Sequence, residues 1–350
     1  MSLYRRFRRP FAALLLSALV LLPTGTRAAP DPEVLTSVPI VQDGRLTVTA
    51  TEGEGTIPLH VSRDWTEPQP EVTRALVVIH GWPRRDLKSG EYAAARAGAA
   101  GQQTLIITPQ FLTQIDIDGH QLSADVLRWG LNDWIFGYGA QGPAPLSSYD
   151  ALDAILARLA DRRLFSNLTI VVIAGHSAGG QFVQRYAAVG HGQASLEQAG
   201  VHIRYIVANP SSYLYFSQER PAPAPASCGK VNHWHYGLDG RLPPYVSEPL
   251  VPTALERAYR AKDITYLLGT ADNDPNHHQL DRTCAAEAQG DTRFARGLDY
   301  FAYLEGRSAG PLNQRVFEVP GVGHHSSLMY GSACGVAALF DLGSCDGKAP

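Results

Sequence analysis

The sequence predicts an α/β fold, with a mostly parallel central sheet flanked by helices. Two observations carry that expectation. Short apolar runs rich in Val, Ile and Leu alternate along the chain with segments of helical period, the order expected when helices cover both faces of a sheet. The composition, 45% hydrophobic and 18% charged over 350 residues, is that of a globular chain with a sizeable core. A net charge of −3 gives no reason to expect nucleic acid as a partner.

The first segment reads as an export signal rather than as part of the fold. Arg5, Arg6, Arg8 and Arg9 form a basic region, and Phe11 to Leu22 is an apolar run shorter than a bilayer span. Thr26-Arg27-Ala28 places small residues where a signal peptidase requires them, so residues 1–28 are expected to be removed. An uncleaved membrane anchor is the alternative. No later stretch is apolar for long enough to span a membrane, so no stable insertion is expected after cleavage. Residues 29–350 are then one catalytic-sized domain, secreted or periplasmic.

Within it, Arg74 to Ile79 and Thr104 to Thr108 read as buried strands, with an alanine-rich helix over Glu91 to Ala100 between them. Ser148 to Leu159 has helical period, with apolar Leu152, Ile155, Leu156 and Leu159. Leu168 to Ala174 is the strongest strand signal, followed by a helix over Gly179 to Val189. Ile203 to Ala208, Ile264 to Leu268 and Arg315 to Val319 are three further strands, and Pro252 to Ala261 a helix. Two segments break the rhythm, about 111–147 with its tryptophans and glycines, and about 211–251, rich in Pro, Tyr and His. Both follow strand ends, where open α/β sheets build their sites, so they are expected to wall a substrate cleft.

Four cysteines, Cys228, Cys284, Cys334 and Cys345, in an exported chain suggest two disulfides. Three connectivities are open. Cys334–Cys345 would staple a C-terminal helix and leave Cys228–Cys284 to tie an insertion to a later loop. No CxxC pair is present, which argues against a thiolate zinc site.

The chemistry centres on Gly175-His176-Ser177-Ala178-Gly179, a G-x-S-x-G sequence lying between the best strand and a helix. A strand that turns at once into a helix presents the serine on a tight bend, with small neighbours avoiding collision. On these residues the chain resembles the α/β-hydrolase superfamily, of serine esterase and lipase type, over roughly Arg74 to Tyr330. The resemblance implies a serine nucleophile, an acid and a histidine base. Ser177 is the nucleophile it implies. The base should follow the last strand, where Gly321-Val322-Gly323 leads into His324 and His325; His324 matches the usual place. The acid should follow the preceding strand, where Asp272 stands three residues after Gly269 and Asp274 is the rival. The oxyanion hole would use the N–H groups of Ala178 and, in the His80-Gly81-Trp82-Pro83 loop, of Trp82, since Pro83 has none. Gly81 would let that backbone approach closely. Trp82, His176 and Tyr213 are candidate substrate contacts. His233, His235, His277 and His278 read as solvated or hydrogen-bonded rather than as metal ligands.

The expected reaction is acyl transfer, cofactor-free and metal-free, on a small-molecule or polymeric carboxylic ester. A secreted peptidase or amidase uses the same machinery, and a non-catalytic binding protein is the alternative from another class. A haloalkane dehalogenase would carry aspartate, not serine, as nucleophile.

Overall fold

A computed structural model describes residues 32–246, 250–308, 310 and 312–345. The expected export signal lies outside the described residues. The main sheet has eight strands in the order β1-β2-β4-β3-β7-β8-β9-β10. Its members are β1 (Gly44–Ala50), β2 (Gly53–Val61), β3 (Arg74–Ile79), β4 (Thr104–Pro109), β7 (Ile170–His176), β8 (His202–Ala208), β9 (Asp263–Gly269) and β10 (Gln314–Val319). β1 and β2 are antiparallel, β2 is antiparallel to β4, and every later pairing is parallel. A two-stranded ribbon, β5 (Leu112–Thr113) with β6 (Arg128–Trp129), stands apart.

The apolar runs become strands because both faces are covered. In β3, Ala75, Val77 and Ile79 enter one core while Leu76 and Val78 enter the core on the opposite face. β7 splits in the same way, with Val171 and Ile173 on one side and Val172 and Ala174 on the other. The helices are α1 (Ser89–Arg96), α2 (Ala99–Gln102), α3 (Gln114–His120), α4 (Ser148–Leu159), α5 (Ala178–Val189), α6 (Gln193–Gln198), α7 (Pro252–Arg260), α8 (Cys284–Glu287), α9 (Arg293–Gly306), α10 (Ser326–Gly331) and α11 (Ala333–Phe340). α4 begins on a capping box, in which Ser147 Oγ accepts from Tyr149 N at 3.0 Å and Asp150 Oδ2 accepts from Ser147 N at 2.7 Å. The alanine-rich helix expected over Glu91 to Ala100 is broken at Gly98, whose φ of +56° an α-helix cannot hold, into α1 and α2.

The two irregular segments contribute aromatic residues to the core, and among the described residues neither borders the cleft over Ser177, which corrects the expectation. Trp129 and Trp134 are fully buried, and Phe111 packs against both and against Phe182 of α5, with centroids 5.4–5.5 Å apart. In the second segment Tyr213, Leu214 and Tyr215 are fully buried, and Trp234 Nε1 donates to Phe136 O at 3.0 Å, tying the two segments together. Large aromatic surfaces that cannot be left in water are what fold these loops inward.

The disulfides are Cys228–Cys284, with Cα atoms 5.9 Å apart, and Cys334–Cys345, with Cα atoms 4.2 Å apart. The first ties the segment after β8 to the loop after β9. The protein denatured without reductant should therefore titrate no thiols. Cys228→Ser with Cys284→Ser should cost roughly 2–4 kcal/mol in denaturant unfolding. Four titrating thiols, or an unchanged unfolding midpoint, would count against these bridges.

Candidate active site

β7 ends at His176 and α5 begins at Ala178, so Ser177 is the whole turn between them. Its φ of 59° and ψ of −120° are strained for a residue with a side chain, a conformation costing on the order of 1–3 kcal/mol. Ser177 N donates to Ala208 O at 2.9 Å, which anchors the turn to β8. There is no room to build it otherwise. A Cβ on Gly175 would lie 2.1 Å from Gly179 O, and one on Gly179 would lie 2.1 Å from Ile79 O in β3.

Three loops converge on this turn. His324 Nε2 lies 2.9 Å from Ser177 Oγ, and His324 Nδ1 lies 2.6 Å from Asp272 Oδ2. The geometry suits an Nδ1–H donated to the carboxylate, leaving Nε2 to accept from the hydroxyl. The other carboxylate oxygen, Asp272 Oδ1, accepts from Arg293 Nη1 at 3.3 Å, and Arg293 Nε donates to Ser211 Oγ at 3.0 Å. Asp272 and Arg293 are both buried. Burial, reinforced by the Arg293 charge, lowers the His324 imidazole well below its usual value of 6.5. Burial raises the Asp272 carboxyl, against the pull of Arg293.

The alternatives lie elsewhere. Asp274 is exposed and its Oδ1 accepts from Asn276 N at 2.8 Å, a turn-forming role. His325 is exposed at the head of α10 and borders the cleft without reaching Ser177. His176 is buried, with its ring centroid 4.6 Å from that of His324. Burial, with the neighbouring His324 next, lowers the His176 imidazole well below its usual value.

Tyr213 is the clear correction. It is fully buried, with its ring stacked on Tyr300 at 4.4 Å, and it does not border the cleft.

A cleft of about 400 Å³ opens over Ser177, lined by Trp82, Asp86, His277, His278 and His325 among others. Trp82 is held from outside by its Nε1, which donates to Leu131 O at 3.3 Å. Ala178 is the first residue of α5, so its N–H has no acceptor one turn back. Gly81 lines the cleft, and a Cβ there would meet only Pro83 Cδ, at 3.8 Å.

Several site residues were not anticipated. His80 is buried, its Nε2 accepting from Phe111 N at 3.0 Å and its Nδ1 bonded to Gly81 O at 2.8 Å. Both contacts suit a neutral ring, and burial lowers its pKa to about 4. Asn209, at φ 41°, accepts from Gly269 N at 2.9 Å and donates to Gly323 O at 3.4 Å, pinning the two loops that carry Asp272 and His324. Nothing in local sequence marks Arg293 or Asn209, because their partners are distant along the chain. Among the described residues, no three His, Cys, Asp or Glu side chains group as metal ligands would.

No family model matches this sequence, and no curated protein matches it. Solved structures do share its fold. LpqC, a poly(3-hydroxybutyrate) depolymerase from Bordetella parapertussis, aligns with a TM-score of 0.59 at 24% identity, over 86% of this chain and 91% of that one. Poly(aspartic acid) hydrolase-1 from Sphingomonas sp. KT-1 aligns with a TM-score of 0.57 at 25% identity, over 83% of this chain and 96% of that one. The chain has the fold of the α/β-hydrolases.

Gly179→Ala tests the close packing at the turn. It should lower stability by about 1–3 kcal/mol, because a methyl group must displace the β3 backbone. An unchanged thermal midpoint would show that the first turn of α5 has slack.

Proposed function

We propose that this protein is an exported serine hydrolase that cleaves carboxylic esters through an acyl-enzyme. The single observation that carries the reading is the line from Ser177 Oγ through His324 to Asp272, at 2.9 and 2.6 Å. In this reading His324 Nε2 takes the Ser177 proton as Oγ attacks the substrate carbonyl. Asp272 holds the ring in the tautomer that can accept, and stabilises the imidazolium once formed. The N–H groups of Ala178 and Trp82 receive the negative oxygen of the tetrahedral intermediate. His324 then gives its proton to the departing alcohol, and water repeats the sequence on the acyl-enzyme.

Both solved relatives named above are hydrolases of polymers, one of an ester and one of an amide. The amide case supports a second reading, an amidase using the same residues. The cleft is lined by the polar side chains of Arg85, Asp86, His277 and His278 among others, which supports a small or polymeric polar substrate. Export is supported by the basic and apolar start of the chain and by the two disulfides.

A fluorophosphonate probe should label Ser177, and a panel of p-nitrophenyl esters and aminoacyl anilides should separate esterase from amidase. Ser177→Ala and His324→Ala should each lose on the order of 10⁴-fold or more in kcat, and Asp272→Asn a similar or smaller amount. Asp274→Asn should stay close to wild type. Activity of Ser177→Ala within tenfold of wild type would end the assignment.

The pH profile follows from the neutral base. Only uncharged His324 can accept the proton, and its pKa is held below 6.5, so neutrality persists into acid. The acid limb of kcat/KM should therefore lie below pH 6.5. A limb at or above pH 7 would contradict that electrostatic account.

A further inference from the structure

The loop that carries Trp82 is held in a conformation its own residues do not favour. Arg84 has φ 60° and Asp86 φ 65°, both in the left-handed region without being glycine. Such a backbone persists only where its surroundings over-determine it.

The surroundings here are specific. The Arg84 side chain is fully buried. Its Nε donates to Asp116 Oδ2 at 2.8 Å and its Nη2 to Asp116 Oδ1 at 3.2 Å. Its Nη1 donates to Val34 O at 3.1 Å, and Nη2 also donates to Thr36 O at 3.0 Å. Asp116 in turn accepts from Val38 N at 3.0 Å and from Thr113 N at 2.8 Å. Gln110, also fully buried, donates from Nε2 to both Arg84 O, at 3.0 Å, and Pro39 O, at 2.9 Å, and accepts from Val41 N at 3.0 Å. Val34, Thr36, Val38, Pro39 and Val41 are thus bonded main chain to side chain, and these bonds lead through Arg84, Asp116 and Gln110 to the loop. Glu33, at the start of this strap, borders the cleft itself, with Arg85 3.9 Å away.

We infer that Arg84 is a positioning residue. Through Asp116 and the strap of residues 33–41 it fixes the direction of the Trp82 N–H two residues before it. A buried ion pair taken alone often adds little net stability against an apolar replacement. Its geometric effect is large, because the fork grips two carbonyls and a carboxylate at once. The inference rests on the proposed role of Trp82 in holding the oxyanion.

The test uses the full chain with p-nitrophenyl acetate as substrate. Arg84→Lys keeps the charge and loses the fork. It should lower kcat by about 10- to 100-fold, as expected for a displaced oxyanion donor, with KM changed less than threefold. The rate at which a fluorophosphonate labels Ser177 should fall in parallel. The double variant Arg84→Met with Asp116→Leu removes the pair without leaving a buried charge. It also takes the partners from Val34 O, Thr36 O, Val38 N and Thr113 N, so it should melt below wild type while still folding, and show the same or a larger loss of kcat. A folded Arg84→Lys protein with kcat within twofold of wild type overturns the inference. So does a fall in melting temperature alone, or failure of both variants to fold, each of which assigns the pair to stability. A wild-type protein whose Ser177 takes no fluorophosphonate overturns the hydrolase reading, and this inference with it.

Discussion

The packing of the first turn of α5 against the backbone of β3 is the constraint on which the site depends. Gly179 lies so close to Ile79 O that a side chain would lie 2.1 Å from it, and Gly175 faces Gly179 in the same way. Two strands and a helix therefore meet with no side chains between them. The turn that joins them must be a single residue, and Ser177 occupies it at φ 59°. The strain is tolerable because the elements on either side are rigid. β7 is hydrogen-bonded to β3 and β8 along its length, and every residue of α5 is buried. A hydroxyl so placed stands at the end of the sheet with little freedom to turn away.

Charge is handled by the same economy. The site holds a buried carboxylate, a buried guanidinium and several imidazoles in one small volume. Asp272 and Arg293 offset one another, which leaves the histidines without a strong reason to be charged. His80, His176 and His324 are each pushed below the ordinary imidazole pKa, with burial the first cause in every case. Neutral rings can be both donor and acceptor, and His80 and His324 are placed to use that. His80 accepts from Phe111 N, and the His324 geometry suits one nitrogen donating while the other accepts.

Much of this was legible in the sequence because it was local. The strands β3, β4, β7, β8, β9 and β10 announce themselves as apolar runs, since each is buried on both faces. β1 and β2 were passed over because β1 buries only Val48 and otherwise alternates with threonine and charge. The order of serine, aspartate and histidine, and the glycines beside each, could be read from spacing and from family resemblance. What could not be read was anything made by distant partners. Arg293 meets Asp272 from the start of α9, Asn209 bridges two loops from the end of β8, and Arg84 reaches back to Val34. The aromatic segments misled for a related reason. Trp134 and Tyr213 look like substrate contacts when read as loop residues, and only the fold shows that they are filling its core.

The burial of those segments also explains how the loops above the sheet can be accurate without being regular. A loop over an open cleft has little apolar surface to pack, so its position must be fixed by directed bonds from below. Each loop at this site is held in that way. Asn209 spans the loops of Asp272 and His324, Arg293 secures Asp272 itself, and Gln110 and Arg84 hold the loop of Trp82. These groups are buried, and a buried polar group is costly unless satisfied, so each has few alternatives to the bond it makes. That scarcity of alternatives, more than the strength of any one bond, is what keeps the loops in register with Ser177.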